Sequence, residues 1–138
     1  MRAEKPIHIV DDDLGFLKGI ERLLTVHGLP VRTFSSADEL HARADPNEAA
    51  CLILDVHLGA VSGIDLMHEL RRSGTTTPIV LITANDNEQT RRAALASGCS
   101  AFLQKPVSAK VLMEAVRNVV GPEFAVTPTA TPTKASAS

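Results

Sequence analysis

The most constraining feature of this sequence is a pair of short segments in which every residue is apolar: CLIL at residues 51–54 and IVLI at residues 79–82. A strand with this composition is buried on both faces, as in parallel sheets that are covered by helices on both sides. Further short segments of strand character occur at residues 7–10, 31–34 and 99–103. The segment at 31–34 alternates in polarity, which suits a strand at the edge of the sheet.

Amphipathic helical patterns separate these five strand segments. Ser36 and Glu39 have the spacing of a capping box, and Gly28, Gly74 and Gly98 stand where helices are expected to stop. We expect the five helices to begin close to Leu14, Ser36, Gly63, Asp86 or Asn87, and Ser108. Strict alternation of strands and helices predicts an α/β fold, a doubly wound five-stranded parallel sheet of the flavodoxin-like type with strand order 2-1-3-4-5.

Three of the helices have apolar residues that are expected to pack on the sheet, and those of the third helix are Leu66, Met67 and Leu70. The face of the first helix consists of Leu14, Leu17, Ile20 and Leu24. The face of the fifth helix consists of Val111, Leu112, Ala115, Val116 and Val119.

Composition excludes several classes of function. The net charge of −2 argues against sequence-independent binding of nucleic acid by this chain, which would need a basic face. The sequence has no apolar run of about 18 residues and no signal-peptide pattern at its N-terminus, so we expect a cytoplasmic protein without a membrane segment. Cys51 and Cys99 are then expected to be buried, reduced thiols, since the predicted strand order also keeps their strands apart.

The composition changes near the C-terminus. Residues 122–138 are rich in Pro, Thr, Ala and Ser and contain few groups that a core could bury. We therefore predict one domain at residues 1–121, followed by a disordered tail or linker.

Polar and charged residues follow four of the five predicted strands. The carboxyl ends of parallel strands meet at one edge of a doubly wound sheet, where ligands bind. Each residue is ordinary alone, since an Asp at a strand end is most often a helix cap or a turn residue. Together they bring carboxylates, a hydroxyl and an ammonium to one crevice. The residues are Asp11, Asp12 and Asp13 after the first strand, Asp55 after the third, Thr83 and Ala84 after the fourth, and Lys105 and Pro106 after the fifth.

The chemistry that suits this set is phosphoryl transfer. Carboxylates are hard oxygen ligands of the kind that Mg²⁺ takes in small numbers while it keeps several waters. Asp55 could bind that ion and also act as a nucleophile towards phosphorus. Lys105 and Thr83 would help to neutralise the charge on the transferring group.

The sequence resembles the receiver domain of two-component response regulators over about residues 5–120. The motifs that carry the resemblance, together with their spacing, are VDDD, LILD ending in Asp55, Ser62–Gly63, Thr83–Ala84 and Lys105–Pro106. The resemblance implies that Asp55 accepts a phosphoryl group from a phosphohistidine of a histidine kinase or phosphotransfer protein. The chain would then catalyse its own phosphorylation and dephosphorylation and no other reaction.

The resemblance also implies roles for individual residues. Asp12 and Asp55 would bind Mg²⁺ directly, Asp11 would bind it mostly through water, and His57 would contribute its backbone carbonyl. Lys105, Thr83 and the Ala84 amide would hold the phosphate, and the Lys105–Pro106 bond is usually cis in the family.

Signalling in this family couples the strand-end threonine, here Thr83, to an aromatic residue on the fifth strand, here Phe102. An ordinary core aromatic is an equally good interpretation of Phe102. Family members often form homodimers through the face made by helix 4, strand 5 and helix 5, so this face is a candidate dimer surface. The side chains of His57 and Asn85 occupy positions that tune dephosphorylation in the family, and Gly59 replaces a residue that is often Pro.

Two alternatives remain at this stage. A phosphatase of the haloacid-dehalogenase type would use the Asp-x-Asp pattern within residues 7–13, but it needs a further acidic motif after the lysine. Glu114 and Glu123 are the only acidic residues after Lys105 in the sequence, and Asp55 would have no role in such a phosphatase. The second alternative is a receiver-like interaction module that never accepts phosphate. The sequence also does not separate a single-domain receiver from the receiver part of a longer regulator.

The three consecutive aspartates are expected to differ. Asp12 is predicted to be a direct metal ligand and Asp11 a water-mediated one that also positions Lys105. Asp13 is predicted to lie at the start of the first helix, where its negative charge interacts favourably with the positive end of the helix dipole.

Overall fold

A computed structural model describes residues 5–59, 61–84 and 87–120. In chain order, the strands are β1 (Ile7–Val10), β2 (Val31–Phe34), β3 (Cys51–Asp55), β4 (His57–Leu58), β5 (Val61–Ser62), β6 (Ile79–Thr83) and β7 (Ala101–Gln104). The α-helices are α1 (Leu14–Val26), α2 (Ala37–Arg43), α3 (Gly63–Arg72), α4 (Glu88–Ala96) and α5 (Ala109–Val120), and a 3-10 helix covers Pro46–Glu48. Asn85, Asp86 and the predicted tail at 122–138 lie outside the described residues.

Five of the strands form one parallel sheet in the order β2-β1-β3-β6-β7. This is the predicted order 2-1-3-4-5 when the strands of this sheet are counted alone, so the predicted fold class is confirmed. The predicted edge strand, β2, is at the edge. The remaining two strands, β4 and β5, form a short antiparallel hairpin after β3. This hairpin was not predicted, because strands of two residues leave no pattern in the sequence.

Separate apolar layers cover the two faces of the sheet. Leu52 and Leu54 point into a layer that includes residues of α2, α3 and α4. Cys51 and Ile53 point into the opposite layer, which includes residues of α1 and α5. All five residues of β3 are buried, as its continuous apolar pattern predicted. Burial of each large aliphatic side chain contributes about 1.5–3 kcal/mol, so these two layers hold the strand ends in place.

Two residues of the predicted apolar faces were assigned wrongly. Leu14 is 61% exposed, because it is the first residue of α1 and lies at the end of the helix rather than over the sheet. Val111 is 45% exposed, because it lies about 120° around α5 from the centre of the stripe that Leu112 and Val116 form. Met113, on the other border of that stripe, is buried instead.

The last strand begins two residues later than predicted. Gly98 has a φ of 88°, which only glycine adopts easily, and it ends the α4 turn. The Ser100 amide then donates to the Ile79 carbonyl at 2.7 Å, and the regular ladder with β6 starts at Ala101. Cys99 therefore precedes the strand.

One of the two hydrogen bonds of the predicted capping box at α2 forms as expected, and the other is made to the preceding residue. Ser36 Oγ accepts a hydrogen bond from the Glu39 amide at 3.0 Å, as predicted. The Glu39 carboxylate, however, accepts from the Ser35 amide at 2.6 Å and from the Ser35 hydroxyl at 2.9 Å. The two bonds together satisfy polar groups at the start of the helix.

Both cysteines are free thiols, and β6 separates the strand of Cys51 from the strand that follows Cys99. Cys51 is buried as predicted, but Cys99 is only partly buried, because it precedes the strand instead of lying within the sheet. Complete burial raises the pKa of Cys51 to about 12, so this thiol stays protonated at neutral pH. Within residues 5–59, 61–84 and 87–120, no helix combines the length and the apolar character that a membrane span requires.

Candidate functional site

The three aspartates after β1 have three different environments. Asp11 is fully buried, and its Oδ1 accepts a hydrogen bond from the Asp13 amide at 2.9 Å. Asp12 is exposed. Asp13 is the N-cap of α1, and its Oδ1 accepts from the Phe16 amide at 3.1 Å. One residue of the run thus caps a helix, and two carboxylates remain for the crevice.

Asp55 is the last residue of β3, and its side chain is buried. The His57 amide donates to Asp55 Oδ1 at 3.0 Å. The start of α3 packs so closely on the end of β3 that a Cβ atom at Gly63 would lie 2.0 Å from the Asp55 carbonyl oxygen. The Gly63 amide also donates to the Val56 carbonyl at 2.8 Å. Position 63 therefore has no room for a side chain, and the close packing of Gly63 holds the backbone of Asp55 in place.

Lys105 reaches into the crevice from the far edge of the sheet. Its Nζ lies 2.8 Å from Asp11 Oδ2 and 3.5 Å from Asp55 Oδ2, and its side chain is 14% exposed. The contact with Asp11 is an ion pair without the alignment of a hydrogen bond. The Lys105 amide donates to the Thr83 carbonyl at 2.7 Å, and the Lys105–Pro106 bond is cis, as expected. Thr83 itself is fully buried at the end of β6.

Charge is unevenly distributed in this crevice. Burial is the largest influence on Asp11 and raises its pKa, and the nearby Asp55 charge adds to this effect, while Lys105 and the Asp13 amide oppose it. Burial disfavours the charged form of Lys105, but the close contact with Asp11 and the charges of Asp11, Asp55 and Asp13 outweigh it and raise its pKa. The ammonium is therefore held in its charged form by the carboxylates around it.

The carboxylates fit a divalent cation. Asp11, Asp12 and Asp55 each offer an oxygen, and these oxygens lie within 4.8 Å of one another. With one ammonium among three carboxylates, the group carries an excess of negative charge when all are ionised. An oxygen-only donor set with one exposed member suits a hard cation that keeps part of its water shell. Within the described part of the chain, this is the one such group of acidic, His and Cys side chains. Glu114, which the phosphatase alternative would need, is exposed on α5.

The other residues predicted for the site are exposed or partly buried. The His57 side chain is exposed, and its backbone amide is what contacts Asp55. Ala84 follows Thr83 and is exposed. Phe102 lies opposite Leu81 in the ladder of β6 and β7, two positions before the strand end, and it packs partly buried against the apolar layer of α2, α3 and α4. The Arg91 guanidinium lies 5.9 Å from the centre of its ring.

Sequence reasoning missed two residues that shape the crevice. The ring centre of Phe16 lies 4.2 Å from Lys105 Nζ. An aromatic residue in the first turn after an acidic strand end was the available signal. Gly63 was recognised as part of a motif, but the sequence alone gave no reason for it; the reason is the close approach to Asp55.

Comparisons with known proteins agree with this geometry. A family model described as the response regulator receiver domain matches residues 7–117. Nodulation protein W of Bradyrhizobium diazoefficiens is 34% identical over 110 residues, which make up 80% of this chain and 48% of that protein. The transcriptional regulatory protein FixJ of Azorhizobium caulinodans is 28% identical over 88% of this chain and 57% of that protein. The chain thus spans about half the length of these relatives.

Solved structures share the fold. A two-component response regulator from Clostridium difficile is 25% identical with a TM-score of 0.77, and the match covers 84% of this chain and 95% of that one. A CheY-like receiver domain protein from Methanospirillum hungatei has a TM-score of 0.76 at 22% identity, and the match covers 86% of this chain and 94% of that one. The chain therefore belongs to the family of response regulator receiver domains.

Proposed function

We propose that this receiver domain accepts a phosphoryl group on Asp55 from a phosphohistidine of a sensor histidine kinase or a phosphotransfer protein. An Asp55 carboxylate oxygen forms the new bond to phosphorus while the phosphorus–nitrogen bond of the donor breaks, and the imidazole nitrogen keeps the bonding pair. The observation that carries this proposal is the placement of Asp55, with the Lys105 ammonium 3.5 Å from Oδ2 and the His57 amide 3.0 Å from Oδ1. The chain thereby catalyses reactions of its own carboxylate and of no separate substrate.

Mg²⁺ is the proposed cofactor. Asp12 and Asp55 would bind it directly, Asp11 through water, and His57 through its backbone carbonyl. When bound, the ion supplies positive charge next to the phosphoryl oxygens. The acidic group of Asp11, Asp12 and Asp55 supports this assignment, because its oxygens lie within 4.8 Å of one another and its net charge is negative.

Lys105, Thr83 and the Ala84 amide are proposed to hold the phosphate. Lys105 supplies a full positive charge, and the Thr83 hydroxyl supplies a donor from the end of β6. The backbone bond from the Lys105 amide to the Thr83 carbonyl supports this pairing of roles, because it joins the two strand ends next to Asp55.

Thr83 and Phe102 are proposed to form the switch that changes the face made by α4, β7 and α5. They lie on adjacent strands, and Phe102 is only partly buried against the apolar layer of α2, α3 and α4. Thr83→Ala should then take up the phosphoryl group without the change in amide exchange on this face that the wild type shows. If the variant shows the full change, Thr83 does not transmit the signal.

The proposed partners are the phosphodonor protein and, through the face of α4, β7 and α5, a second copy of the chain. We propose a cytoplasmic protein that acts by protein contact, without direct binding of nucleic acid or membrane by this chain. The relative FixJ is named as a transcriptional regulatory protein and is longer than this chain. An output of that kind would lie with a partner or with further sequence.

The test is incubation with Mg²⁺ and acetyl phosphate, followed by intact-protein mass spectrometry. We expect the gain of one phosphoryl group, which hydroxylamine removes because an acyl phosphate is labile to it. Asp55→Asn should abolish the gain, while Asp65→Asn, at an exposed position in the first turn of α3, should not. Failure of the wild type to gain mass, or a gain that persists in Asp55→Asn, would contradict the proposal.

A further inference from the structure

A phenyl ring forms one wall around the Lys105 ammonium. Phe16, in the first turn of α1, places its ring centre 4.2 Å from Lys105 Nζ. This distance is within the range of about 6 Å over which a cation is attracted to the face of an aromatic ring. The same nitrogen lies 2.8 Å from Asp11 and 3.5 Å from Asp55. The ammonium is thus held by two carboxylates and one ring.

A cation near a ring does not distinguish Phe16 by itself. Arg32 lies 5.2 Å from the ring centre of Phe34, and Arg91 lies 5.9 Å from that of Phe102. The contact at Phe16 is shorter, and its cation also faces the Asp55 carboxylate. Among the described residues, Phe16 is therefore the phenylalanine whose ring lies against the ammonium that faces Asp55.

The ring is fixed from its own side. The Phe16 amide donates to Asp13 Oδ1, and the Asp13 amide donates to Asp11 Oδ1, so the first turn of α1 is tied to the buried aspartate. The half-buried ring also packs against the apolar layer of α1 and α5. The backbone of Phe16 is therefore connected to the Asp11 carboxylate through the cap of α1, and its ring is held by the apolar layer.

We infer that Phe16 is a positioning residue, whose ring keeps the Lys105 ammonium beside Asp55 while the phosphoryl group is transferred. The inference rests on the proposed phosphorylation of Asp55. When phosphate oxygens arrive, the ammonium exchanges part of its contact with Asp11 for a contact with them. The attraction of the ammonium to the ring face does not require one N–H bond to point at a single acceptor atom, so it persists while the ammonium stays over the ring and its contact with Asp11 is exchanged.

The test compares two substitutions. Phe16→Leu keeps an apolar side chain of similar size but removes the ring, whereas Phe16→Tyr keeps the ring. With acetyl phosphate and Mg²⁺, we expect Phe16→Leu to be phosphorylated about three- to tenfold more slowly and Phe16→Tyr within about twofold of the wild type. A small phosphodonor excludes effects on contact with a kinase. The exposed Leu14, in the same turn, supplies a control as Leu14→Ala, which should react at the wild-type rate.

A second readout reports the contact itself. In the wild type and in Phe16→Tyr, the ring current should displace the NMR signals of the Lys105 ε-methylene protons from their position in Phe16→Leu. The inference is overturned if Phe16→Leu reacts as fast as the wild type, or if Phe16→Tyr is slowed as much as Phe16→Leu. These outcomes differ from failure of the proposed function, in which the wild type itself gains no phosphoryl group.

Discussion

Lys105 and Asp11 form an ion pair of 2.8 Å although two strands of the sheet lie between the strands that precede them. The ammonium passes over the carboxyl ends of β6 and β3 to reach the carboxylate after β1. On this path it comes within 3.5 Å of Asp55. The pair therefore links the edge of the sheet to its interior and brings a positive charge to the candidate phosphoacceptor.

Lys105→Met should destabilise the protein and abolish efficient phosphorylation. It leaves the fully buried Asp11 carboxylate without its cation, which we expect to lower the free energy of unfolding by roughly 2–3 kcal/mol. Urea unfolding measures this change, with Lys110→Met at an exposed position of α5 as the control. Adding Asp11→Asn to Lys105→Met should restore part of the loss. Equal stability of the two lysine variants would show that the ion pair contributes little.

Mg²⁺ should raise the melting temperature, because it binds the folded state and relieves repulsion among the carboxylates. Asp12→Ala should remove this shift and leave the metal-free protein at least as stable as the wild type. Asp13→Ala is the matched control: it removes the cap of α1 and should cost about 1 kcal/mol, yet keep the shift. A full Mg²⁺ response in Asp12→Ala would show that the metal assignment is wrong.

Gly63→Ala should displace the start of α3 from Asp55. The added Cβ would lie 2.0 Å from the Asp55 carbonyl oxygen, and this backbone atom cannot rotate away as a flexible side chain can. We expect a loss of about 2–3 kcal/mol in stability together with slower phosphorylation. Gly19→Ala in α1 meets no atom within 4 Å and should stabilise the helix by up to about 1 kcal/mol. Wild-type stability and phosphorylation in Gly63→Ala would contradict the packing argument.

His8 should make the fold sensitive to mild acid. Burial, and then the charge of Arg32, lower its pKa to about 4, and its Nδ1 has no hydrogen-bond partner within the described residues. The unfolded chain then binds a proton at His8 more readily than the folded chain does. The contribution of neutral His8 to the free energy of unfolding is therefore fully present above about pH 6.5 and is lost as the pH decreases towards 4. Between about pH 7.5 and pH 5 this loss amounts to about 2 kcal/mol.

The comparison that checks this is urea unfolding of the wild type and of His8→Leu at the two pH values. Carboxylates titrate in both proteins, so the difference between their pH dependences isolates His8. The wild type should lose about 2 kcal/mol more than the variant. Parallel losses would show that His8 is not responsible.

Much of the fold could be predicted because its signals are local. Strands β1 and β2 were predicted with the bounds that the structure has, since each is a short apolar or alternating run. The glycines after α1, α3 and α4 ended those helices because φ values of 84°, 97° and 88° favour glycine there. The crevice followed from the topology, since parallel strands end at one edge.

The features that were missed depend on contacts between distant segments. The pairing of Phe16 with Lys105 joins α1 to the end of β7 and has no periodic pattern. The need for glycine at position 63 arises from the backbone of Asp55, and no property of residue 63 alone reveals it. The exposure of Val111 depends on where the centre of the buried stripe falls, which a single helix does not define.

The position of Lys105 after the last strand of the sheet has a consequence for how the domain is made. During synthesis the three carboxylates leave the ribosome first, and the ammonium follows near the end of the domain. Until β7 pairs with β6, the acceptor exists without its positive partner. If Asp55 is phosphorylated as proposed, competence for phosphotransfer arises when the final strand has paired, and the phosphodonor would select molecules in which β7 is joined to β6.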